Sequence, residues 1–302
     1  MTLRSAALGL TLAGLILTGG SGIVSAQDMA LTFDDLPAHD VMPVGDTRVG
    51  VISRIVAALA DAGAPPSYGF INAFSAAENP HVLEIWAASG NPVANHGWSH
   101  ANLADTTVEG FLAEIERNEP ALATLSPDAD WRWFRYPYLS EGETPEKRAA
   151  VRHWLAAHRY RVASVTLSFN DYAWNGPYAR CADRGDAAAI AWLEVSYLKA
   201  AADTLASARR MSRTLYDREI PLVLLMHVGA FDARMAPRLL ALYREQGVRF
   251  VTLDQAQADP FYGPDVRAEA SPAPLSLERA MTDRGLTPER FTEPAELATI
   301  CR

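Results

Sequence analysis

Short apolar runs alternate with longer amphipathic stretches along most of the chain that follows residue 26. A short apolar run bounded by turn residues favours a buried strand, whereas apolar positions three or four residues apart favour a helix. The pattern predicts strands at 29–33, 67–72, 92–95, 131–134, 161–167, 221–226 and 249–252. Between the strands it predicts helices at about 48–61, 77–88, 107–124, 144–158, 186–217 and 234–246.

Strands that alternate with helices are typical of a parallel sheet covered by helices. About seven such units, without a Gly-rich dinucleotide-binding loop, favour a barrel over an open doubly wound sheet. We therefore predict the α/β class, as a deformed (β/α)7-type barrel with parallel strands in a single domain. The barrel is predicted over residues 27–258. Residues 259–302 contain many Pro, Glu and Ala, and are predicted to form a C-terminal tail that packs on the barrel.

The first 26 residues have the features of an export signal. Arg4 precedes an apolar run at 6–18, and small residues at 24–26 offer a cleavage site before Gln27. A retained membrane anchor is the alternative, although the apolar run is short for a membrane span. We therefore expect residues 1–26 to be a signal peptide and the mature protein to be periplasmic or extracellular. No integral membrane segment is expected after the signal is removed.

The balance of charges limits the kinds of partner that the protein binds. The chain has 27 Lys and Arg residues against 36 Asp and Glu residues, which gives a formal net charge of -9 at pH 7. Proteins that bind nucleic acid or an anionic membrane usually carry a basic patch. The acidic balance therefore argues against a nucleic-acid partner, whereas a neutral glycan is compatible with it. The sequence contains no indication of the oligomeric state.

The chain contains two cysteines, Cys181 and Cys301. In an oxidising compartment they would be able to form a disulfide that ties the C-terminal tail to the body of the protein. Two free thiols are the alternative, and the sequence does not distinguish between the two. Neither cysteine lies in a cluster of metal-ligand type, so we do not assign them to the chemistry.

Five polar clusters follow directly after predicted strands, namely Asp34-Asp35, His96 to His100, Arg135 to Tyr138, Asn170 to Tyr172, and His227. Each has an ordinary explanation when it is taken alone, since paired Asp residues often cap a turn and a lone His often packs in a core. In a parallel barrel, however, the carboxyl ends of the strands meet at one face, where such folds carry their active sites. The clusters together therefore predict an active site at that face.

Two of these clusters contain the donor atoms of a metal site. His96 and His100 are four residues apart, so one helical turn would place both imidazoles on one face. Such a pair is a weak signal by itself, because it also arises by chance. Two His ligands and one carboxylate are nevertheless a standard set for a catalytic divalent metal with an open coordination position.

The motifs resemble those of the polysaccharide deacetylase family, the NodB-homology family or carbohydrate esterase family 4. The resemblance extends from about residue 29 to residue 255. It is carried by Thr32-Phe33-Asp34-Asp35, His96-Gly97-Trp98-Ser99-His100, Arg135-Tyr136-Pro137-Tyr138 and Leu225-Met226-His227. No single motif is specific, but the ordered set is.

The resemblance implies a divalent metal ion held by Asp35, His96 and His100. Zn²⁺ is the expected ion, with Co²⁺, Ni²⁺ or Mn²⁺ as alternatives. A metal in such a site polarises the carbonyl of an acyl group and acidifies a water molecule. The chemistry implied is therefore hydrolysis of an amide or an ester.

The resemblance also implies which groups move protons. Asp34 would be the general base, oriented by Arg135, and His227 would be the general acid, oriented by Asp171. The backbone N–H of Tyr138 would help to form an oxyanion hole. An imidazolium at His227 is needed because an unprotonated amine is a poor leaving group, and a neighbouring carboxylate raises the pKa of a histidine toward that role.

Leu225 would line the acetyl pocket, and Tyr172 is placed at the substrate because it stands where the family usually has Trp. Two further positions depart from the family pattern. Gly97 replaces the usual Ser or Thr between the His ligands, and Ser168 stands where a further Asp is common. None of these departures removes a metal ligand or a catalytic group, so they affect the expected substrate preference rather than the expected activity.

These observations predict a hydrolase that removes N-acetyl groups from a sugar polymer or oligomer of the chitooligosaccharide or peptidoglycan type. One alternative is an O-acetyl esterase on xylan-like glycans, because ester and amide hydrolysis share the same oxyanion chemistry. A second alternative is a catalytically silent glycan-binding protein on the same fold. A third is a metal-free amidase of small cyclic amides, which the presence of all three metal ligands disfavours.

Overall fold

The computed structural model describes residues 26–76, 80–127, 130–269 and 273–302. The predicted signal peptide lies outside the described residues, apart from its last residue, Ala26. In the part of the chain that the structure describes, no helix is long and apolar enough to cross a membrane.

Seven strands form one sheet in which all paired strands are parallel. They are β1 (Gln27–Leu36), β2 (Tyr68–Ile71), β3 (Val93–Asn95), β4 (Trp133–Phe134), β5 (Arg161–Val162), β6 (Leu222–His227) and β7 (Val248–Val251). Each lies at or within a few residues of a predicted strand, and the α/β fold class is confirmed.

Helices cover the outside of the sheet. Those of the barrel are α1 (Arg48–Asp61), α2 (Ala73–Ala76), α3 (Pro80–Ala88), α4 (Val108–Leu125), α5 (Pro145–Ala157), α6 (Asn175–Asp183), α7 (Ala187–Tyr216) and α8 (Ala230–Glu245). Three shorter helices follow the last strand, namely α9 (Leu253–Gln257), α10 (Gly263–Val266) and α11 (Leu277–Asp283). The sequence pattern did not predict α6, which precedes the helix predicted at 186–217. Pro177 lies in the first turn of α6, where proline is tolerated.

The sheet curls around its longest strand, β1. Its strand order is β5-β4-β3-β2-β1-β6. One edge of β1 is shared by two strands, because β7 pairs with its first residues and β2 pairs with its later residues. The predicted strand at 161–167 is regular only at β5, but the residues that follow β5 connect β4 with β6. Ala163 donates its N–H to Phe134 of β4 (2.8 Å), and Leu225 of β6 donates its N–H to Leu167 (3.0 Å). The strands therefore form a deformed barrel.

Alternation along β1 separates two apolar layers. Met29, Leu31 and Phe33 are buried in the large core between the sheet and the helices. Ala30 belongs to a second cluster, which fills the inside of the curled sheet with one or two residues from most strands, namely Tyr68, Phe70, Ala94, Trp133, Ala163 and Val223. This period of two is what a strand buried on both faces requires. The inward positions of the strands consequently lead, at their carboxyl ends, to a single rim.

The C-terminal residues make buried contacts with the outer helices. Leu277 of α11 and Leu297 are buried in the core that contains α7. Cys301 forms a disulfide with Cys181 of α6, with the Cα atoms 5.2 Å apart. Arg180 Nη2 also donates to the Ile300 carbonyl at 3.3 Å. The structure thus selects the disulfide over the two free thiols that the sequence had left open.

We predict that the unreduced protein contains no free thiol and that Cys301→Ser lowers the free energy of unfolding by about 2–5 kcal/mol. The two cysteines are 120 residues apart, and such a cross-link stabilises a protein mainly by restricting its unfolded chain. Thiol titration in denaturant and urea-induced unfolding measure the two quantities. Reduced wild-type protein is the control and should show the same loss. Two reactive thiols in unreduced protein would contradict the pairing.

Candidate active site

Four strands each place one polar side chain at an inward position of the rim. These are Asp34 on β1, His96 after β3, Arg135 after β4 and His227 on β6. Each follows an inward residue of the barrel by two positions, so strand alternation alone directs it toward the axis. All four are buried. The parallel pairing of β1 with β6 places Asp34 directly beside His227.

Asp34 and Arg135 form a buried ion pair. Arg135 Nη1 lies 3.2 Å from Oδ1 and 3.3 Å from Oδ2 of Asp34. The guanidinium is fixed from two other sides, because its Nε donates to the Ala163 carbonyl (2.6 Å) and its Nη2 donates to Thr32 Oγ1 (3.1 Å). Burial lowers the pKa of Arg135, although the charge of Asp34 opposes this effect. A guanidinium remains charged even after such a shift, so the pair holds the carboxylate in one orientation.

The side chain of Asp35 also lies at the rim, although the preceding residue, Asp34, already points inward and successive residues of a strand point to opposite faces. On a regular strand it would point outward, away from the barrel axis. Its backbone has a left-handed φ of 59°, and the register between β1 and β2 shifts between Phe33 and Leu36. An irregularity of this kind redirects a side chain. It is the reason why two consecutive carboxylates reach the same site.

Asp35, His96 and His100 bring three metal-ligand atoms together. Asp35 Oδ1 lies 3.4 Å from His96 Nε2 and 3.2 Å from His100 Nε2. His96 donates Nδ1–H to the Arg135 carbonyl (2.8 Å), so its neutral form presents the Nε2 lone pair to the carboxylate. Among the described residues, Asp35 Oδ1 is buried without a hydrogen-bond partner. Acceptor atoms that face each other around an unpaired buried oxygen fit a divalent cation bound between them.

The two imidazoles differ in their response to the carboxylates. Burial lowers the pKa of His100 to about 4, so this ring stays neutral. Burial alone would also lower the pKa of His96, but the charges of Asp34 and Asp35 outweigh it and raise that pKa. The carboxylates thus attract positive charge to the position of His96. A metal ion would therefore compete there with a proton.

Backbone geometry explains one departure from the family pattern. Gly97, between the two histidines, has a φ of 76°, and His100 has a φ of 61°. A Cβ at position 97 would meet no atom closer than 4.0 Å, so conformation rather than space favours glycine there. The left-handed residues turn the chain after β3 so that both rings return to Asp35.

His227 is held by Asp171. The carboxylate accepts the backbone N–H of His227 at 2.6 Å and lies 2.9 Å from its Nδ1. Burial alone would lower the pKa of His227, but the charge and the hydrogen bond of Asp171 raise it to about 10. The imidazole is therefore protonated at neutral pH, in contrast to His100.

The remaining predicted site residues lie around this centre. Tyr138 is exposed, its ring centroid lies 4.4 Å from that of His100, and its φ is 58°. Within the described ranges its backbone N–H has no hydrogen-bond partner. Leu225 is buried at the inward position two residues before His227. The ring of Tyr172, which is 39% exposed, lies 5.2 Å from that of His227.

His39 is a rim residue that the sequence reasoning missed. Its Nδ1 lies 2.7 Å from Asp35 Oδ2, and its ring centroid is 4.8 Å from that of His227. Asp35, His39 and His227 form a second group of side chains close enough to share a cation. His39 belongs to none of the four motifs and follows no strand end directly. Its separation of four residues from Asp35 was the only available signal.

Comparison with known proteins agrees with the motifs. The family model described as polysaccharide deacetylase matches residues 22–154. The resemblance inferred from the motifs is thereby confirmed, and the matched region contains Asp34, Asp35, His96, His100 and Arg135, whereas Asp171 and His227 lie beyond it.

Several solved structures share the fold of this chain. The chitin deacetylase of Colletotrichum lindemuthianum is 18% identical, with 77% of this chain and 88% of that chain covered and a TM-score of 0.54. A peptidoglycan N-acetylglucosamine deacetylase is 20% identical, with 77% and 88% covered and a TM-score of 0.51. A carbohydrate esterase family 4 pseudoenzyme of Bacillus anthracis is 13% identical, with 76% and 65% covered and a TM-score of 0.53. Because a pseudoenzyme has this fold, activity must be argued from side chains.

A cavity of about 730 Å³ lies to one side of the candidate metal ligands Asp35, His96 and His100. Arg135, Leu139 and Asn170 line its end near the rim, and Phe291 contributes to a wall formed by the C-terminal residues. Asn170 Nδ2 also donates to Glu293 Oε1 at 2.8 Å. The C-terminal segment thus reaches the residue that precedes Asp171.

We predict that Asp171→Asn lowers the pKa of His227 by several units in the metal-free protein. The carboxylate is the main influence that raises this pKa, and burial, which lowers it, remains in the variant. The fraction of protonated His227 at pH 7 should therefore fall. NMR titration of the imidazole signals, assigned with His227→Gln, measures the change. Exposed His81, which pairs with Glu84, is the internal control. An unchanged His227 titration would show that Asp171 does not stabilise the imidazolium.

Proposed function

We propose that this protein is a metal-dependent hydrolase that removes N-acetyl groups from a glycan of the chitooligosaccharide or peptidoglycan type. The observation that carries the proposal is the unpartnered Asp35 Oδ1 between the Nε2 atoms of His96 and His100. It is flanked by two buried acid–base pairs, Asp34 with Arg135 and Asp171 with His227. This is the set of groups that acyl transfer from an amide requires.

Asp35, His96 and His100 would hold the metal. Two imidazole nitrogens and one carboxylate oxygen suit Zn²⁺ in a site with an open position, and Co²⁺, Ni²⁺ or Mn²⁺ accept the same donors. When bound, the ion would polarise the acetyl carbonyl and acidify a water molecule. Neutral His100, with its pKa held at about 4, keeps its lone pair available at physiological pH.

Asp34 would act as the general base. Its Oδ2 lies 3.7 Å from His96 Nε2, so a water molecule near the ligand group would be within reach of the carboxylate. Arg135 contacts both carboxylate oxygens of Asp34 and orients them. A buried and oriented carboxylate next to the attacking water is the arrangement that general base catalysis needs.

His227 would act as the general acid. The leaving group of an acetamide is an amine, and expulsion of an unprotonated amine is prohibitive. A histidine whose pKa is raised to about 10 by Asp171 carries the required proton near neutral pH. It lies beside Asp34 in the sheet register, so base and acid would flank the same carbonyl carbon.

Tyr138 would supply one hydrogen bond to the developing oxyanion through its backbone N–H, which has no partner among the described residues. Leu225 would line the acetyl pocket, and Tyr172 would close it beside His227. The exposed rings at the rim are suited to contact sugar faces.

Several observations bear on the substrate and its location. Two relatives that share the fold carry names of deacetylases that act on chitin and on N-acetylglucosamine of peptidoglycan. The Cys181–Cys301 disulfide supports an oxidising, exported location, in line with a signal peptide at 1–26. We also propose that residues 27–258 are the catalytic barrel and that residues 259–302 are a tail that packs on it and borders the cavity beside the rim.

An acetate-release screen over chitooligosaccharides, peptidoglycan and acetyl-xylan tests the proposed function. Metal-loaded protein is expected to release acetate fastest from an N-acetylated glycan. Fastest release from acetyl-xylan would instead identify an O-acetyl esterase. Metal and glycan binding without acetate release from any of these polymers would identify a silent glycan-binding protein.

Within this screen, we predict that His100→Ala loses both the bound metal and acetate release. Asp34→Asn should keep the metal while kcat falls by about 10²-fold or more, because the amide cannot accept the proton. Metal analysis and kinetics on the same preparations separate ligand from base. His153→Ala and Asp217→Asn alter exposed residues of the same types and should match wild type. Full metal occupancy in His100→Ala would refute the ligand assignment, and wild-type turnover in Asp34→Asn would refute the base.

We predict that His227→Ala cripples amide hydrolysis but spares much of the hydrolysis of an aryl acetate. The aryl leaving group departs as a stable anion and needs no proton, whereas the amine does. Both rates are to be measured on one metal-loaded preparation of the variant. An equal loss on both substrates would mean that His227 positions the substrate or stabilises the oxyanion instead.

A further inference from the structure

His39 contacts the proposed metal site from the side opposite to the ligand histidines. Asp35 directs Oδ1 toward His96 and His100, and it directs Oδ2 toward His39 Nδ1 at 2.7 Å. An ionised carboxylate can only accept hydrogen bonds, so the ring must donate through Nδ1–H. The bond therefore occupies one carboxylate oxygen and leaves the other for a cation.

The direction of this bond matters because Asp35 lacks the support that a strand gives to its side chains. Its backbone has left the regular conformation of β1, with a φ of 59°. Among the described residues, the contact from His39 at 2.7 Å is the shortest polar contact of the Asp35 side chain, since His100 Nε2 and His96 Nε2 lie at 3.2 Å and 3.4 Å. Rotation of the carboxylate about its last torsion is therefore restricted mainly by His39.

His39 is itself fixed by the strand that carries the proposed acid. Its backbone N–H donates to the Val228 carbonyl at 2.9 Å, one residue after His227. Its ring packs at 4.8 Å from the ring of His227 and at 5.8 Å from that of Tyr172. The ring is thus held by a backbone bond and two ring contacts, and its side chain is only 27% exposed.

We propose that His39 is a positioning residue that orients Asp35 for metal binding. The inference rests on the proposed function, since it assigns a role toward the metal of that site. Carboxylate ligands of metal sites are commonly oriented by a hydrogen bond to the oxygen that does not bind the metal, and loss of such a partner typically weakens metal binding by about 10–100-fold.

The same geometry argues against His39 as a direct ligand. Asp35, His39 and His227 lie close enough together to share an ion. However, Nδ1 of His39 is engaged with Asp35 Oδ2, and Nδ1 of His227 is engaged with Asp171. The oxygen without a partner is Oδ1, which faces His96 and His100. A hydrogen bond of 2.7 Å leaves no room for a cation between His39 and the carboxylate.

Two substitutions of His39 separate the hydrogen bond from the ring. His39→Asn retains an amide N–H close to the position of Nδ1, and His39→Phe retains the ring but has no donor. His81→Phe is the matched control, because exposed His81 makes a similar contact of 2.8 Å to Glu84 on α3. Affinities for Zn²⁺ and Co²⁺ are measured on the metal-free full-length proteins by competition with a chromophoric chelator. The absorption spectrum of the Co²⁺ forms reports the ligand set independently of activity.

We expect His39→Phe to bind both ions about 10–100-fold more weakly than wild type, with a Co²⁺ spectrum that keeps the wild-type band pattern at saturation. His39→Asn should recover most of the affinity, and His81→Phe should match wild type. Wild-type affinity in His39→Phe would overturn the inference. A changed Co²⁺ spectrum in His39→Phe, with no recovery in His39→Asn, would also overturn it, because it would show that His39 is a ligand. Equal, weak binding by wild type and His100→Ala would refute the metal site itself, and with it the role of His39.

Discussion

The buried pair of Asp34 and Arg135 is the interaction on which the arrangement of the rim depends. Both side chains are almost inaccessible to solvent, and removing either partner of such a pair typically destabilises a protein by about 3–5 kcal/mol. The guanidinium also bonds to Thr32 and to the Ala163 carbonyl, and it lies 4.6 Å above the ring of Phe70. One side chain therefore connects β1, β2 and the segment after β5. The contact therefore stabilises the rim of a barrel that lacks regular pairing between its fifth and sixth strands.

The same constraint explains why the site lies at the end of an apolar barrel. The inside of the sheet is filled by residues such as Tyr68, Phe70 and Trp133, which exclude water below the rim. Each polar group at the rim consequently needs a hydrogen-bond partner from the protein on the side that faces the apolar interior of the barrel. The guanidinium of Arg135 donates to Asp34, and the carbonyl of Arg135 accepts a hydrogen bond from His96. Asp171 accepts a hydrogen bond from His227. The atoms of these side chains that face away from the barrel interior remain available to a substrate or to the proposed metal ion.

Sequence periodicity predicted the strands and the rim because both follow from alternation and from the parallel direction of the strands. It did not predict that the side chain of Asp35 would lie at the same rim as that of Asp34, since this depends on a local shift in pairing between β1 and β2. It did not find His39, because the loop after β1 returns to the rim through a backbone bond to Val228, a contact without a sequence signature. The pairing of Cys181 with Cys301 likewise depends on the packing of the tail against α6.

Three histidines of equal intrinsic chemistry acquire different protonation in this site, and the difference follows from the placement of carboxylates. His227 has a dedicated partner in Asp171, so burial strengthens an attraction that outweighs desolvation and raises its pKa to about 10. His100 is held by packing and shares Asp35 with others, so burial prevails and its pKa falls to about 4. His96 lies between Asp34 and Asp35, which raise its pKa against burial. A cation bound at His96 would replace the proton that Asp34 and Asp35 attract to this ring. His227 would remain protonated, because the carboxylate of Asp171 stabilises its imidazolium. If His96 binds a metal ion and His227 donates a proton, as proposed, the two roles stay separate because both hydrogen bonds to the Asp171 carboxylate come from His227.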